Sequence, residues 1–194
     1  LANYYCCEVW SDEHWRIIEN FAKTAKSNGI NLLLTPVLTP SLDTAVGGER
    51  LTTQLTRINV STDGEYSFDF DLLDRWIEMC NRVGIEYLEI SHFFTQWGAK
   101  HAPKIVALDS KGREKKIFGW KTRTASKKYD EFLRQFASAF IDVVESEGIK
   151  EKCFLHPALQ IAQASACPQG DFLVIPGNLL SGIRLCKICL HLIG

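Results

Sequence analysis

The stretch Asp69–Ile90, DFDLLDRWIEMCNRVGIEYLEI, holds a helix, its stop signal and a strand in that order. Asp69 or Asp71 can cap a helix whose apolar residues, Leu72, Leu73, Trp76, Ile77 and Cys80, fall at helical spacing. Gly84 can adopt the left-handed backbone that ends it, and Ile85–Ile90 then runs apolar for the length of a buried strand. The same grammar appears on both sides. Ser11 can cap a helix carrying Trp15, Ile18, Phe21, Ala22 and Ala25, which Gly29 stops before the run Ile30–Leu34. A third helix from about Ser126 carries Tyr129, Phe132, Leu133, Phe136, Phe140, Ile141 and Val144, ends at Gly148, and leads to Cys153–His156. The aromatics on these helices recur at core spacing and are read as core.

Continuous apolar strands alternating with helices predict an α/β fold with a parallel sheet covered by helices. With an initial strand near Leu1–Cys6, four βα steps fit a half barrel or an open sheet. The connections after the strands are long. Thr35–Asp69 contains an Asp63-Gly64 turn between alternating segments, as in a β-hairpin. His92–Thr124 places Lys104–Leu108 and Lys116–Trp120 around Ser110-Lys111-Gly112, a second hairpin. Loops of this length are usually functional, and in a barrel they would decorate the carboxyl-terminal face.

At 194 residues the chain is one domain by length, with 46% hydrophobic and 23% charged residues, ordinary for a globular protein. The formal net charge of −1 gives no reason to expect nucleic acid or an anionic membrane as partner. No apolar run has the length of a membrane span, and LANYYCCEVW does not read as a signal peptide. The chain begins without Met and looks like part of something longer. Compartment and oligomeric state stay open. The seven cysteines, Cys6, Cys7, Cys80, Cys153, Cys167, Cys186 and Cys189, are too scattered for a disulfide framework and read as free buried thiols in a reducing compartment. Cys186-Lys-Ile-Cys189 is a single CxxC with no second pair, weak support for zinc, so no metal or cofactor is expected.

The segment after the strand at Tyr87–Ile90 is the richest in chemistry. Ser91–His101, SHFFTQWGAKH, gathers two histidines, two phenylalanines, a glutamine, a tryptophan and a lysine at a strand's carboxyl end. Rings offer flat apolar contact and polar heads fix orientation, as a polar ligand requires. A solvated loop with a few anchoring rings is the plainer alternative.

Several segments together, EHWRIIENF (13–21), LLLTPVLTPSLDTAVGGER (32–50), FDFDLLDRWIEMC (68–80), GIEYLEISHFFTQWGAKHAPKI (84–105) and IFGWKT (117–122), resemble the catalytic domain of glycoside hydrolase family 123. The resemblance covers roughly Leu1–His156. It implies a (β/α)8 barrel, of which residues 1–156 would form the N-terminal half with hairpin insertions. It also implies β-N-acetylgalactosaminidase-type activity on glycans, with retention through the substrate's own acetamido group.

In such substrate-assisted hydrolysis the acetamido oxygen attacks the anomeric carbon. One carboxylate steadies the developing oxazolinium, and a neighbouring carboxylic acid protonates the leaving oxygen. In the family this pair is Asp-Glu, in a Ser-Asp-Glu-Pro run after the fourth strand. Here Cys153-Phe154-Leu155-His156 is followed by Pro157-Ala158-Leu159-Gln160, and the pair is absent. From Pro157 to Gly194 only Asp171, Arg184 and Lys187 carry a formal charge. That break in composition marks residues 157–194 as an aberrant tail, read as a frameshifted or mispredicted reading frame, with a genuine divergent ending as the alternative.

The resemblance and the residues converge on a carbohydrate ligand and on a set of contacts. His92, Gln96, Trp97, Lys100 and His101 are the candidates from the loop, with Trp97 stacking on a pyranose face. For His92, support of a neighbour by bonding to backbone is an equal alternative. Asp43, Glu49 and Arg50 in LDTAVGGER follow, where paired glycines allow a tight turn that presents charge. An internal Glu49–Arg50 ion pair is the competing reading for those two. Three readings of the whole chain remain: a glycosidase-like domain inactive as written, a carbohydrate-binding domain without catalysis, or a non-functional fragment.

Overall fold

A computed structural model of the chain describes residues 1–41, 44–95, 100–155 and 184–185. Its elements in chain order are α1 (Ala2–Tyr5), α2 (Asp12–Ser27), β1 (Leu32–Thr35), β2 (Arg57–Val60), β3 (Tyr66–Asp69), α3 (Asp71–Val83) and β4 (Tyr87–Ile90). Then come β5 (Ile105–Leu108), β6 (Glu114–Phe118), α4 (Lys127–Ser146), β7 (Cys153–Leu155) and β8 (Arg184–Leu185).

The three expected helices form where the apolar periodicity placed them. Ser11 caps α2, its Oγ accepting from the His14 N–H at 3.2 Å. Asp69 Oδ1 accepts from the Asp71 N–H at 2.9 Å ahead of α3, although Phe70 occupies the cap position itself. Gly84 sits at φ 86°, where an L side chain would be strained, and its N–H closes α3 on the Cys80 carbonyl at 3.0 Å. The expected initial strand is not formed. Residues Ala2–Tyr5 make one helical turn, closed by Cys6 in the left-handed region at φ 51°. An apolar run alone does not make a strand, and among the described residues this one has no neighbouring strand to pair with.

Two four-stranded sheets result. The first is parallel, in the order β1-β4-β7-β8, with Leu33 beside Leu88 and Leu88 beside Cys153. Its fourth strand, β8, comes from within the compositionally distinct tail. The second has the order β3-β2-β5-β6 and is built entirely from the two long connections. Each connection forms an antiparallel hairpin, as its turn residues predict, but the hairpins also join each other through a parallel pairing at Asn59 and Leu108. Gln54 strengthens that junction. Its Nε2 donates to the Val106 carbonyl at 2.8 Å and its Oε1 accepts from the Val106 N–H at 3.0 Å, so one side-chain amide imitates a strand residue.

The core follows from the helix stripes. Trp15, Ile18 and Ala22 of α2 are buried with Trp76, Ile77 and Cys80 of α3, and the two indoles lie 6.2 Å apart. Along α4, Tyr129, Phe132, Phe136 and Phe140 stack ring on ring at 5.7–6.0 Å and are fully or almost fully buried. This ladder meets Tyr66, Phe68 and Phe118 of the second sheet, and Phe70 beside it. Burial of one such ring contributes on the order of 2 kcal/mol, so the rings of α4 anchor the insertions to the core. Among the described residues, no helix is long and apolar enough to cross a membrane.

Candidate functional site

The carboxyl ends of β1 and β4 lie side by side, and the loops leaving them are tied together. The Ser91 hydroxyl accepts from the Leu38 N–H at 3.2 Å and donates to the Leu38 carbonyl at 3.1 Å. Ser41 Oγ donates to the Phe94 carbonyl at 3.1 Å, and the buried Tyr129 hydroxyl donates to the Phe93 carbonyl. Burial holds the Tyr129 phenol well above its ordinary pKa, so it stays a donor.

This packing changes the reading of Ser91–His101. The rings of Phe93 and Phe94 are not offered to a ligand: each is 6% exposed, turned against Phe136 and Tyr129 respectively. Two consecutive phenylalanines at a strand's end satisfy the core beneath the loop first. His92 is equally buried. Lys100 is exposed, and its carbonyl accepts from the Thr124 N–H at 3.1 Å. His101 pairs antiparallel with Arg123 and its carbonyl accepts from the Thr95 N–H at 2.9 Å. Its ring lies 5.8 Å from that of Trp120. Gln96 and Trp97, and Asp43 of the preceding loop, lie outside the described residues.

Between the two loops lies a shallow cleft lined by Thr39, Glu49, Arg50, Thr95, Lys104 and Trp120, among others. Gly47, at φ 79°, and Gly48, whose N–H donates to the Ala45 carbonyl at 2.8 Å, form the tight turn that brings Glu49 and Arg50 there. Among the described residues the Glu49 carboxylate is engaged by Lys116 and lies 3.9 Å from Lys104, two lysines from the second hairpin. Lys104 Nζ also donates to the Arg50 carbonyl at 3.0 Å, and Trp120 Nε1 donates to the Gly48 carbonyl at 2.7 Å. Trp120 and Lys104 were not singled out from the sequence. Their signals were places at the ends of the second hairpin and in the matched segments, because a tryptophan at a strand's end carries no mark of the loop it will face.

The cleft, about 20 Å³ as it stands, is therefore lined by an indole, a carboxylate, cationic heads and hydroxyls. Thr39 and Thr95, 2% and 4% exposed, have hydroxyls with no hydrogen-bond partner among the described residues. A larger groove between α2 and α3 is lined by Asp12, Glu19, Arg75 and Arg82, but its charges are already matched. Arg75 pairs with Asp12 at 2.9 Å, and Arg82 hydrogen-bonds Glu19 at 2.7 Å, which draws the Glu19 carboxyl down to about 2.

The catalytic domain of glycoside hydrolase 123 matches residues 1–176, well over half of the chain and past His156. The chain belongs to that family. Among solved structures, a family 123 glycoside hydrolase from Clostridium perfringens, studied for glycolipid glycan hydrolysis, superposes with a TM-score of 0.61 at 15% identity. The alignment covers 80% of this chain and 27% of that one, so this family 123 chain spans about a quarter of the relative's length. At that identity the likeness concerns the fold. No curated protein matches the sequence.

Proposed function

We propose that this family 123 chain is the sugar-recognising part of a (β/α)8-barrel glycoside hydrolase that acts on glycolipid glycans bearing N-acetylhexosamine of the N-acetylgalactosamine type. The observation that carries the reading is the cleft at the carboxyl ends of β1 and β4, where Trp120, Glu49, Arg50 and Lys104 converge. An indole flanked by charged and hydroxylated side chains suits a pyranose, whose ring face is apolar and whose rim is hydroxyl. In this reading Lys100 and His101, with Gln96, Trp97 and Asp43, extend the contact surface, and His92 supports the loop from within.

Hydrolysis in the family's manner needs the acetamido group of the substrate as nucleophile and two protein carboxyl groups to steady and protonate. Glu49 is a poor candidate for the acid, because Lys116 already engages its carboxylate. The sequence after β7 reads Pro157-Ala158-Leu159-Gln160, without an Asp-Glu pair. The chain as it stands is therefore proposed to bind and not to hydrolyse.

Titration of the purified chain with N-acetylgalactosamine, followed by calorimetry, tests recognition. Saturable binding that weakens at least about tenfold in Trp120→Ala, the loss expected for one stacking ring, supports it. Binding unchanged in both Trp120→Ala and Trp97→Ala, or no binding, overturns it. Turnover of a chromogenic N-acetyl-β-galactosaminide by this chain would sink the claim that the missing pair is indispensable.

A further inference from the structure

The net charge of −1 conceals a strong segregation. Of the chain's 22 lysines and arginines, ten fall in Lys100–Lys128, together with only two of its 23 aspartates and glutamates. The fold lays this segment along one margin of the second sheet. Lys111 and Arg113 lie in the β5–β6 turn, and Lys115 and Lys116 lie on β6, the edge strand of the second sheet. Lys121, Arg123 and Lys100 follow at the near end, where the Ala102 N–H donates to the Thr122 carbonyl at 3.0 Å and the Thr124 N–H to that of Lys100. All seven are exposed. Trp120 and Lys104, which line the cleft, sit at the end of the same margin.

Some of these cations are used internally: Arg113 pairs with Asp109 at 2.7 Å and Lys116 engages Glu49. Lys100, Lys111, Lys115, Lys121 and Arg123 have no ion pair among the described residues. Lysines on an edge strand can serve merely to repel another sheet. That duty would need charge on β6 alone, whereas Lys100, Lys121 and Arg123 stand off the strand and carry the positive margin up to the cleft.

We infer that this margin is a docking surface for an anionic lipid bilayer, holding the cleft against the membrane in which a glycolipid is anchored. The choice of a bilayer over another polyanion rests on the glycolipid reading above; the segregation of charge does not. Clustered lysines and arginines are attracted to acidic headgroups over about a Debye length, and the attraction adds from residue to residue.

The experiment is co-sedimentation of the chain with vesicles free of any glycan, so that it is blind to the sugar site. Vesicles of phosphatidylcholine with about 30 mol% phosphatidylserine should bind the chain, and pure phosphatidylcholine vesicles should not. Raising salt to about 0.5 M should release it. The triple variant Lys111→Glu, Lys115→Glu, Lys121→Glu should bind at least about 100-fold more weakly, while Lys152→Glu, outside the margin, should bind like the parent. All four side chains are exposed, and an unchanged circular dichroism spectrum confirms that the variants fold. Equal binding to both vesicle types, no vesicle binding with retention on heparin, or a triple variant that binds like the parent would each overturn the inference. Sugar binding that persists after any of these outcomes leaves the cleft reading intact.

Discussion

The Ser91 hydroxyl satisfies both backbone groups of Leu38, 53 positions earlier in the chain, at 3.2 and 3.1 Å, with both residues fully buried. One small side chain thereby holds the loops after β1 and β4 in a single arrangement. Ser91→Ala leaves a buried N–H and a buried carbonyl without partners, at a cost of about 2–4 kcal/mol. The urea midpoint should fall with its slope unchanged. A midpoint equal to the parent's would show that another group takes over both bonds.

The stacked rings of α4 join the second sheet to the loop that leaves β4. Phe136, 1% exposed, touches Phe68 of β3, Phe93 of the β4 loop, and both Phe132 and Phe140. Phe136→Ala should cost about 3–5 kcal/mol in thermal or urea unfolding. Phe21→Ala, at a ring 49% exposed, should stay within about 0.5 kcal/mol.

Stability should depend on pH through His14. Its Nδ1 accepts from the Trp10 N–H at 3.1 Å, so the neutral ring carries its proton on Nε2. Burial pushes its pKa below the ordinary value of 6.5. The unfolded chain binds that proton more readily, so the contribution is complete above about 6.5 and is lost as pH falls through the window below it. His14→Asn should flatten that part of the stability curve. A parent curve with no slope just below about pH 6.5 would contradict the assignment.

Thiol reactivity should divide the described cysteines into two classes. Burial drives the thiols of Cys80 and Cys153 up to about 12, and both side chains are buried. Cys6 is exposed and Cys7 partly so, a departure from the expectation that the thiols are buried. Native-state alkylation at about pH 8 read by mass spectrometry should mark Cys6 first and leave Cys80 and Cys153 unmodified until the chain is unfolded. Rapid native labelling of Cys80 would mean that α3 opens locally.

Legibility in the sequence followed the range of the interaction. Helix α3 was readable because Leu73, Trp76, Ile77 and Cys80 recur at a helical period and Gly84 supplies a local stop. The hairpins were readable because Asp63-Gly64 and Lys111-Gly112 are turn chemistry. The pairing of β2 with β5 was not, since one contact between Asn59 and Leu108 leaves no periodic trace. The same holds for the site. The Gly47-Gly48 turn that presents Glu49 is local, whereas its partner Lys116 lies 67 positions away.

Local sequence was enough for helices α2, α3 and α4 with their stops, for the strands that follow them and for the likeness to family 123, though it misread α1 as a strand. Those follow from short-range periodicity, cap and turn preferences, and long matched segments. Packing between distant elements settled that Phe93 and Phe94 face the core, that Trp120 lines the cleft, and that β6 with its lysines is an exposed sheet edge. Apolar period marks a side chain for burial and charge marks one for solvent. Neither says which distant element will meet it, because that choice is made when the two hairpins and α4 pack together.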